Sequence, residues 1–222
     1  MDPFVLLKYA ALAYAVYFLV RIFYDAFTNL SFISFIWKRV RPKMVAEVLG
    51  VLTLVASSFV LLSLFVPLSR LGWMNFFSPE GGNIILTPIA DLVQTQADYL
   101  RYAPIFLLVS LVFVAPFFVA IEEGMFRHGH TTWGEIFAWS TFFGLIHLIL
   151  GIPIAAGVSL IILGLFLGYK YRKAYLETLP FCKEEELHLA HARALAWSIT
   201  YHTLFDTILF IILLGGVIYS LV

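Results

Sequence analysis

The chain of 222 residues is 62% hydrophobic and 17% aromatic, carries only 13% charged residues, and has no net charge. A soluble domain of this length cannot bury so much apolar surface, whereas a bundle of membrane helices exposes it to lipid. The neutral charge and the lack of a long basic tract argue against nucleic acid as a partner. Cys182 is the single cysteine, which excludes an intrachain disulfide. Composition therefore predicts an all-α, polytopic transmembrane bundle in the lipid bilayer, forming one integral membrane domain over residues 1–222.

The first half of the chain contains two predicted spans. Phe4 to Val20 is the first, and it is expected to be permanent because the N-terminus lacks the charged region and cleavage site of a signal peptide. Ile22 to Trp37 is either an extension of this helix or an interfacial segment. Met44 to Leu68 is the second span. Ser69 to Tyr102 has too many prolines and glycines to span and is expected to lie at the interface.

The second half contains four more predicted spans, which brings the total to about six. Pro104 to about Arg127 is the third, and Thr132 to Leu150, which opens with a Thr-Trp-Gly-Glu capping box, is the fourth. Ile154 to Tyr169 is the fifth. Lys170 to Glu186 is predicted to be a charged loop, and the sixth helix is apolar from Ala194 to Val222.

The basic residues are concentrated in two connections. Five lie between spans one and two, and five lie between spans five and six: Arg21, Lys38, Arg39, Arg41 and Lys43, then Lys170, Arg172, Lys173, Lys183 and Arg193. The connection between spans two and three has two, and the next even-numbered connection has none. By the positive-inside rule, the odd-numbered connections are cytoplasmic and both termini lie outside.

Two adjacent carboxylates, Glu122 and Glu123, stand near the end of the third span. Each costs about 2.5–3.5 kcal/mol at the centre of a bilayer. Glu123 and Arg127 are four residues apart on one helix face, so they are expected to pair. Glu122 is rotated by about 100° and lacks this partner, which leaves its carboxylate free for another role.

Three further polar side chains interrupt later spans. His202 and Asp206 share one face of the sixth helix, and His202 lies at a depth similar to that of Glu122. His147 lies about 21 Å along the fourth helix and is expected to be deeper. Any one of them could be an interhelical hydrogen-bonding group, but their joint occurrence with the glutamates indicates a site. Glu47 is interpreted separately as an interfacial ion-pair partner, and four histidines are expected to be solvated: His128, His130, His188 and His191.

Three motifs occur in order on these helices: Glu122-Glu123-x-x-x-Arg127, Phe143-x-x-x-His147 and His202-x-x-x-Asp206. Together they resemble the CAAX prenyl endopeptidase family of the Ras-converting-enzyme type, which is grouped with bacterial proteins linked to bacteriocin processing and self-immunity. The resemblance covers about residues 104–215. Asp206 stands where the prenyl-protein proteases have asparagine.

The resemblance implies hydrolysis of a peptide bond at the membrane by an intramembrane glutamate-type endopeptidase. Glu122 would be the general base, assisted by His147, while His202 and the residue at 206 would stabilise the oxyanion. Glu123, Arg127 and Phe143 would support them. An ionised aspartate cannot donate to an oxyanion, so Asp206 is predicted to orient His202 and to favour its charged form.

The resemblance further implies a prenylated or other membrane-associated peptide as substrate, and no cofactor. The length suggests a prokaryotic cell membrane, with the active site opening towards the cytoplasm. Two alternatives remain open. Glu122, His147 and His202 could instead bind zinc, with Asp206 or a water as the fourth ligand, or the chain could be a non-catalytic membrane scaffold or immunity protein.

Overall fold

The computed structural model describes residues 3–72 and 102–221, and within these ranges every regular element is helical. Seven α-helices are present in this part of the chain. In order, they are α1 (Pro3–Thr28), α2 (Leu30–Trp37), α3 (Pro42–Phe65), α4 (Ala103–Phe126), α5 (Trp133–Ile146), α6 (Ile154–Thr178) and α7 (Leu187–Leu221). The predicted all-α class is confirmed.

Five segments of the described chain are long and apolar enough to cross a membrane. They are Pro42–Phe65, Ile105–Phe126, Trp133–Leu150, Ile154–Phe181 and Glu184–Tyr219. A sixth is reached if Val16–Thr28 and Leu30–Trp37, which meet at an angle of 82°, count as one bent span. The number agrees with the prediction of about six, and the exposed leucine and phenylalanine side chains on the outer helix faces suit contact with lipid.

The segment from Ile22 to Trp37 is divided between two helices. Helix α1 continues to Thr28, and the chain then turns sharply into α2. The side-chain amide of Asn29 donates to the backbone carbonyl oxygen of Asp25 at 3.0 Å, which satisfies a carbonyl group at the helix end. The segment is therefore an extension of the first helix followed by a separate short helix.

The prediction of a charged loop from Lys170 to Glu186 is wrong in its first half. Helix α6 continues to Thr178, followed by two short 3-10 turns, Leu179–Phe181 and Glu184–Glu186. Tyr171 and Ala174 are buried in this extension, and both pack in one cluster with Ala194 of α7. The buried, apolar face of α6 thus extends to Ala174, although the charged residues between its buried positions suggest a loop. Of the long connection predicted over Ser69 to Tyr102, residues 73–101 lie outside the described chain.

Helices α5 and α6 approach each other closely through small residues. A Cβ atom added at Gly144 would collide with the carbonyl oxygen of Gly157, and one at Gly164 would lie 3.0 Å from Cα of Ser140. Small residues allow this approach between membrane helices, where dispersion contacts rather than water exclusion drive packing. The contact fixes the position of α5, and therefore of His147 at its end.

The two basic connections lie at the same end of the bundle. Nζ of Lys170 on α6 is 2.8 Å from Oε2 of Glu47 near the start of α3. Nε of Arg172 donates to the carbonyl oxygen of Thr131, in the connection between α4 and α5, at 3.0 Å. At the other end, the backbone N–H of Ile154 donates to the Leu71 carbonyl oxygen at 3.0 Å. We call the end that carries Glu47, Thr131 and the two basic connections the basic end.

One histidine expected to be solvated is part of this packing. Nδ1 of His191 is 2.7 Å from the hydroxyl oxygen of Tyr171, and its ring stacks on Tyr175 with centroids 4.5 Å apart. The same Tyr171 hydroxyl accepts from the backbone N–H of Gly129 at 3.0 Å. His191 therefore joins α6 and α7 to the connection that follows the glutamate motif.

Candidate functional site

The three motifs meet at the side chain of Glu122. Its Oε1 lies 3.8 Å from Nε2 of His147, and its Oε2 lies 3.6 Å from Nε2 of His202. Helices α4 and α7 contribute Glu122 and His202, and His147 is the first residue of the 3-10 turn His147–Leu150 that directly follows α5. These distances exceed a direct hydrogen bond but are shorter than two hydrogen bonds of about 2.8 Å in series. One small molecule can therefore contact Glu122 and a histidine at the same time.

The tautomer of His147 follows from its backbone contact. Its Nδ1 lies 2.6 Å from the carbonyl oxygen of Phe143, one turn earlier. A carbonyl oxygen can only accept, so Nδ1 carries the proton. In the neutral ring Nε2 then has a free lone pair, and this is the nitrogen that faces Glu122. His147 is thus set to accept a hydrogen bond beside the carboxylate.

His202 is oriented by Glu123. Nδ1 of His202 donates to Oε1 of Glu123 at 2.9 Å, and both side chains are buried. The other carboxylate oxygen of Glu123 accepts from the hydroxyl of Ser198, which lies one turn before His202 on α7. The Ser198 hydroxyl is also 3.3 Å from the carbonyl oxygen of Leu167 on α6. Glu123 thus joins α4 to α7 and leaves Nε2 of His202 turned towards Glu122.

Asp206 also lies near the ring nitrogen of His202 that faces Glu122. Its Oδ1 is 3.7 Å from Nε2 of His202, which is beyond hydrogen-bond distance. The prediction that Asp206 orients the imidazole is therefore corrected, because the hydrogen bond that fixes the ring comes from Glu123. Asp206 instead places a second carboxylate near Nε2, in addition to that of Glu122.

The predicted pair between Glu123 and Arg127 is present as a buried contact of 3.7 Å between Oε2 and Nε. At this distance it is an ion pair without a hydrogen bond, and the two oxygens of Glu123 accept their hydrogen bonds from His202 and Ser198. Among the described residues, Nε and Nη2 of Arg127 have no hydrogen-bond partner, whereas Nη1 donates to the Phe126 carbonyl oxygen at 3.3 Å. The guanidinium also lies 5.1 Å from the centre of the Phe143 ring.

Phe143 forms the apolar wall of the site. Its ring is 1% exposed and meets the imidazoles of His147 and His202 edge-on, with centroids 4.8 Å and 5.6 Å away. The same ring belongs to the main core cluster with Phe126, Leu167 and Leu204. Phe143 therefore separates the two histidines from Arg127 and holds both rings in position.

The site is only partly enclosed. Side-chain exposure is 17% for Glu122 and 20% for His147, but only 3% for His202. The site is therefore accessible at Glu122 and His147, while His202 and its hydrogen-bond partners form its buried side. His147 was expected to lie deeper in the membrane than the glutamates. It nevertheless contacts Glu122, because the packing of α5 against α6 brings the end of α5 to that side chain.

Ser198 is a site residue that was not predicted from the sequence. It lies four residues before His202, the same spacing that joins His202 to Asp206, and therefore on the same helix face. A hydroxyl at this spacing in an apolar helix is a detectable signal. It is weak, however, because such a hydroxyl usually bonds to a carbonyl of its own helix.

A second polar cluster lies on the other side of α7. Oε2 of Glu47 accepts from Nζ of Lys170 at 2.8 Å and from the hydroxyl of Tyr201, the residue before His202. The predicted interfacial ion pair of Glu47 is confirmed. Its cation comes from α6, however, and not from the adjacent basic connection.

Within residues 3–72 and 102–221, no group of three or more His, Cys, Asp or Glu side chains is arranged to hold a metal ion. The second ring nitrogen of a zinc-binding histidine usually donates to a carboxylate or carbonyl. His202 and His147 have that feature. Zinc binding through their outward-facing nitrogens therefore stays an alternative for experiment.

No family model matches this chain, and no curated protein and no solved structure matches it either. The resemblance to the CAAX prenyl endopeptidase family therefore stays a prediction, based on the three motifs that meet around Glu122.

Proposed function

We propose that the chain is an intramembrane glutamate-type endopeptidase, a hydrolase of the kind that the three motifs resemble. The observation that carries the proposal is the position of Glu122, whose two carboxylate oxygens lie 3.8 Å and 3.6 Å from Nε2 of His147 and His202. Motifs on three separate helices converge on this carboxylate. A purely structural role requires no such convergence on a partly open side chain.

In this proposal Glu122 and His147 activate the water. Both offer acceptors, since the Nδ1 proton of His147 is used by the Phe143 carbonyl group and leaves the Nε2 lone pair free. A water that donates one hydrogen to each directs an oxygen lone pair towards a bound peptide carbonyl. As the oxygen adds to the carbonyl carbon, its proton passes to Glu122, which is the role of a general base.

His202 stabilises the negative oxygen that forms at the carbonyl. In this proposal the ring of His202 is an imidazolium, so both of its nitrogens carry a proton: Nδ1 donates to Glu123, and Nε2–H, beside the carboxylates of Glu122 and Asp206, is left for the oxyanion. A fixed donor of this kind costs no reorganisation during the reaction. When the C–N bond breaks, the proton held by Glu122 passes to the leaving amine, which completes the hydrolysis.

The substrate in this proposal is a peptide that reaches the site from the membrane, in the C-terminal tail of a prenylated or other membrane-associated protein. The partial opening at Glu122 and His147, beside the apolar wall of Phe143, suits such a peptide. The basic end of the bundle would face the cytoplasm of a prokaryotic cell. The positions of Lys170 and Arg172 at that end, together with the basic connection before α3, support this orientation.

The proposal is tested with purified protein in lipid nanodiscs and a synthetic peptide that ends in a farnesylated CAAX sequence. Cleavage is followed by mass spectrometry for the parent protein and for Glu122→Gln, with Glu177→Gln as the control. Glu177 is an exposed carboxylate far from the motifs, with a side chain 62% exposed. We expect cleavage by the parent and the control and none by Glu122→Gln. Equal cleavage by Glu122→Gln would exclude this carboxylate as the base.

The two alternatives give distinct results in the same assay. A zinc-dependent enzyme would contain stoichiometric metal and would lose activity with a chelator, whereas the metal-free enzyme proposed here retains activity. A non-catalytic scaffold would cleave neither this peptide nor an unprenylated membrane-anchored peptide, and Glu122→Gln would leave its function in cells unchanged.

A further inference from the structure

A cavity of about 270 Å³ lies at the basic end of the bundle, between the start of α3 and the facing parts of α6 and α7. Its volume is close to the lower limit of about 300–1,000 Å³ for sites of small ligands. Arg41, Lys43, Lys170 and Lys173 line it, together with Trp197. The cavity is separate from the site at Glu122, and neither the three motifs nor the proposed proteolysis accounts for it.

The positive charges at the floor of this cavity are already balanced. Lys170 is paired with Glu47 at 2.8 Å, and Tyr201 donates to the same carboxylate. Lys173 lies 3.9 Å from Glu177, its neighbour one turn later on α6. The two carboxylates that line the cavity are thus both engaged by lysines of α6.

The positive charges at the rim have no close carboxylate partner of their own in the described chain, since Glu47, on which Lys43 also acts at longer range, is bound to Lys170. Arg41 and Lys43 form no ion pair within 4 Å in residues 3–72 and 102–221. The guanidinium groups of Arg41 and Arg39 each lie 5.8 Å from the ring centre of Trp197, so two positive charges contact the same indole ring. Nη1 of Arg39 is buried and finds no hydrogen-bond partner in the part of the chain that the structure describes. Burial and the nearby Arg193 guanidinium lower the pKa of Arg39.

The guanidinium groups of Arg39 and Arg41, which lie against the same ring, repel each other, and a bound anion would reduce this repulsion. Arginine and lysine side chains around an aromatic ring favour a phosphate group, since guanidinium groups match its geometry. Arg41 and Lys43 also flank Pro42, the first residue of a membrane-spanning segment, which places them at the level of lipid headgroups. Tryptophan is enriched at the same level.

We propose that this cavity binds the phosphate-bearing headgroup of an anionic phospholipid from the leaflet at the basic end of the bundle. The phosphate lies between Arg41 and Lys43 beside Trp197. The neutral Glu47, Lys170 and Tyr201 cluster forms the floor. Lipid is taken as the source of the phosphate because Arg41 and Lys43 stand at the start of a segment long and apolar enough to cross a membrane, where phospholipid headgroups would be abundant. Basic pockets between helix ends on the cytoplasmic side are known to suit such headgroups. The bound lipid joins the ends of α3, α6 and α7.

The test measures thermal unfolding of the purified full chain in a neutral detergent with added phosphatidylglycerol, phosphatidylcholine or inorganic phosphate. The pocket variant is Arg41→Gln/Lys43→Gln. The control, Lys38→Gln/Lys183→Gln, removes the same amount of charge, one residue from each basic connection, at residues that do not line the cavity. We expect phosphatidylglycerol to raise the unfolding temperature of the parent and the control, and to act on the pocket variant only at concentrations at least about tenfold higher.

Three results would overturn the proposal. An equal response of pocket and control variants would show a general charge effect. An equal effect of phosphatidylcholine would exclude recognition of a negative headgroup. Full stabilisation by inorganic phosphate alone would assign the cavity to a free anion and not to a lipid.

A second measurement uses the unaltered protein, so it does not depend on how the variants fold. A photoactivatable phosphatidylglycerol with its reactive group beside the phosphate is cross-linked in nanodiscs, and the modified peptides are identified by mass spectrometry. We expect cross-links within residues 39–47 and 170–177. Cross-links confined to other segments would overturn the proposal.

Discussion

Glu123 and His202 are joined by a hydrogen bond of 2.9 Å between Oε1 and Nδ1, in the buried interior where α4 meets α7. This contact gives the two adjacent carboxylates, Glu122 and Glu123, different roles. Glu123 faces inward and holds the imidazole, while Glu122, rotated by about 100° on the same helix, faces the opening. The neighbouring positions in the sequence therefore have different environments, and they are expected to respond differently to mutation.

Arg127→Ala is expected to destabilise the protein by about 3–5 kcal/mol, because it removes one partner of a buried ion pair. Glu122→Gln is expected to leave stability nearly unchanged while abolishing activity, since Glu122 is partly exposed and lies 3.6 Å or more from both histidines. Thermal unfolding in detergent measures both variants.

Arg21→Ala is the matched control for Arg127→Ala. Arg21 and Asp25 form an ion pair with the same spacing of four residues, but the arginine side chain is 61% exposed. Exposed pairs contribute about 0–1 kcal/mol, so this variant should unfold close to the parent. Equal losses for Arg127→Ala and Glu122→Gln would contradict the division of roles between the two glutamates.

Ser198→Ala is expected to lower both stability and turnover. The change removes one of the two hydrogen bonds to Glu123, and a bond to a charged group contributes about 1.5–3 kcal/mol. Glu123 is then held less firmly, and so is His202. The expected signature is a lower kcat with little change in KM, because Ser198 contacts no substrate in the proposed mechanism.

The control for this variant is Ser159→Ala, at a buried serine whose hydroxyl donates to the Ala155 carbonyl oxygen of its own helix, at 2.7 Å. Its loss should be below about 1 kcal/mol, with kcat unchanged. If Ser198→Ala behaved like Ser159→Ala in both measurements, Ser198 would have no positioning role.

Gly144→Ala is expected to destabilise the protein by about 1–3 kcal/mol and to reduce activity. The added methyl group collides with the Gly157 carbonyl oxygen and forces α5 away from α6. His147 lies three residues later and would move with the helix. Gly50→Ala is the control, because nothing lies within 4 Å of a Cβ atom at Gly50. There the alanine should stabilise α3 by about 0.5–1 kcal/mol. Equal effects at the two glycines would argue against close packing of α5 on α6.

Asp206→Asn is expected to retain activity, and Asp206→Leu is expected to lower it, because leucine places an apolar side chain beside Nε2 of His202, the proposed oxyanion donor. Asparagine keeps the shape and supplies an N–H donor beside Nε2 of His202, where the aspartate carboxylate lies at 3.7 Å. The measurement is the rate of peptide cleavage at saturating substrate. A loss as large in Asp206→Asn as in Asp206→Leu would show that the negative charge itself is required.

The orientation of the bundle predicts which positions react with a membrane-impermeant thiol reagent. In a Cys182→Ser background, a cysteine at Ser220 should be labelled from outside intact cells, whereas one at Lys173 should be labelled only after permeabilisation. The reason is the concentration of Lys and Arg in the connections at the basic end. The reverse labelling pattern would invert the topology.

Much of the architecture is predictable from the sequence because the signals are local. Apolar runs of about 20 residues predict membrane helices wherever they occur, since the bilayer thickness fixes the length that is needed. The start of α5 is another local feature: the Thr132 side chain accepts from the Glu135 backbone and forms the predicted capping box. The residues of the three motifs are likewise evident in the sequence alone, because charged and imidazole groups are conspicuous in apolar helices.

Other features depend on how the helices rotate and pack, and no local pattern contains that information. The extension of α6 to Thr178 is stabilised by the burial of Tyr171 against α7, although its sequence is charged. Glu47 pairs with Lys170, which lies 123 residues away, and not with the cations beside it.

The most important of these features is the partner of His202. Spacing along one helix favours Asp206, four residues later, yet the hydrogen bond goes to Glu123 on a different helix. The sequence determined which ionisable groups enter the membrane. The tertiary structure decided which of them meet, because a hydrogen bond requires atoms within about 3 Å, and only the packing of α4 against α7 brings those two side chains so close.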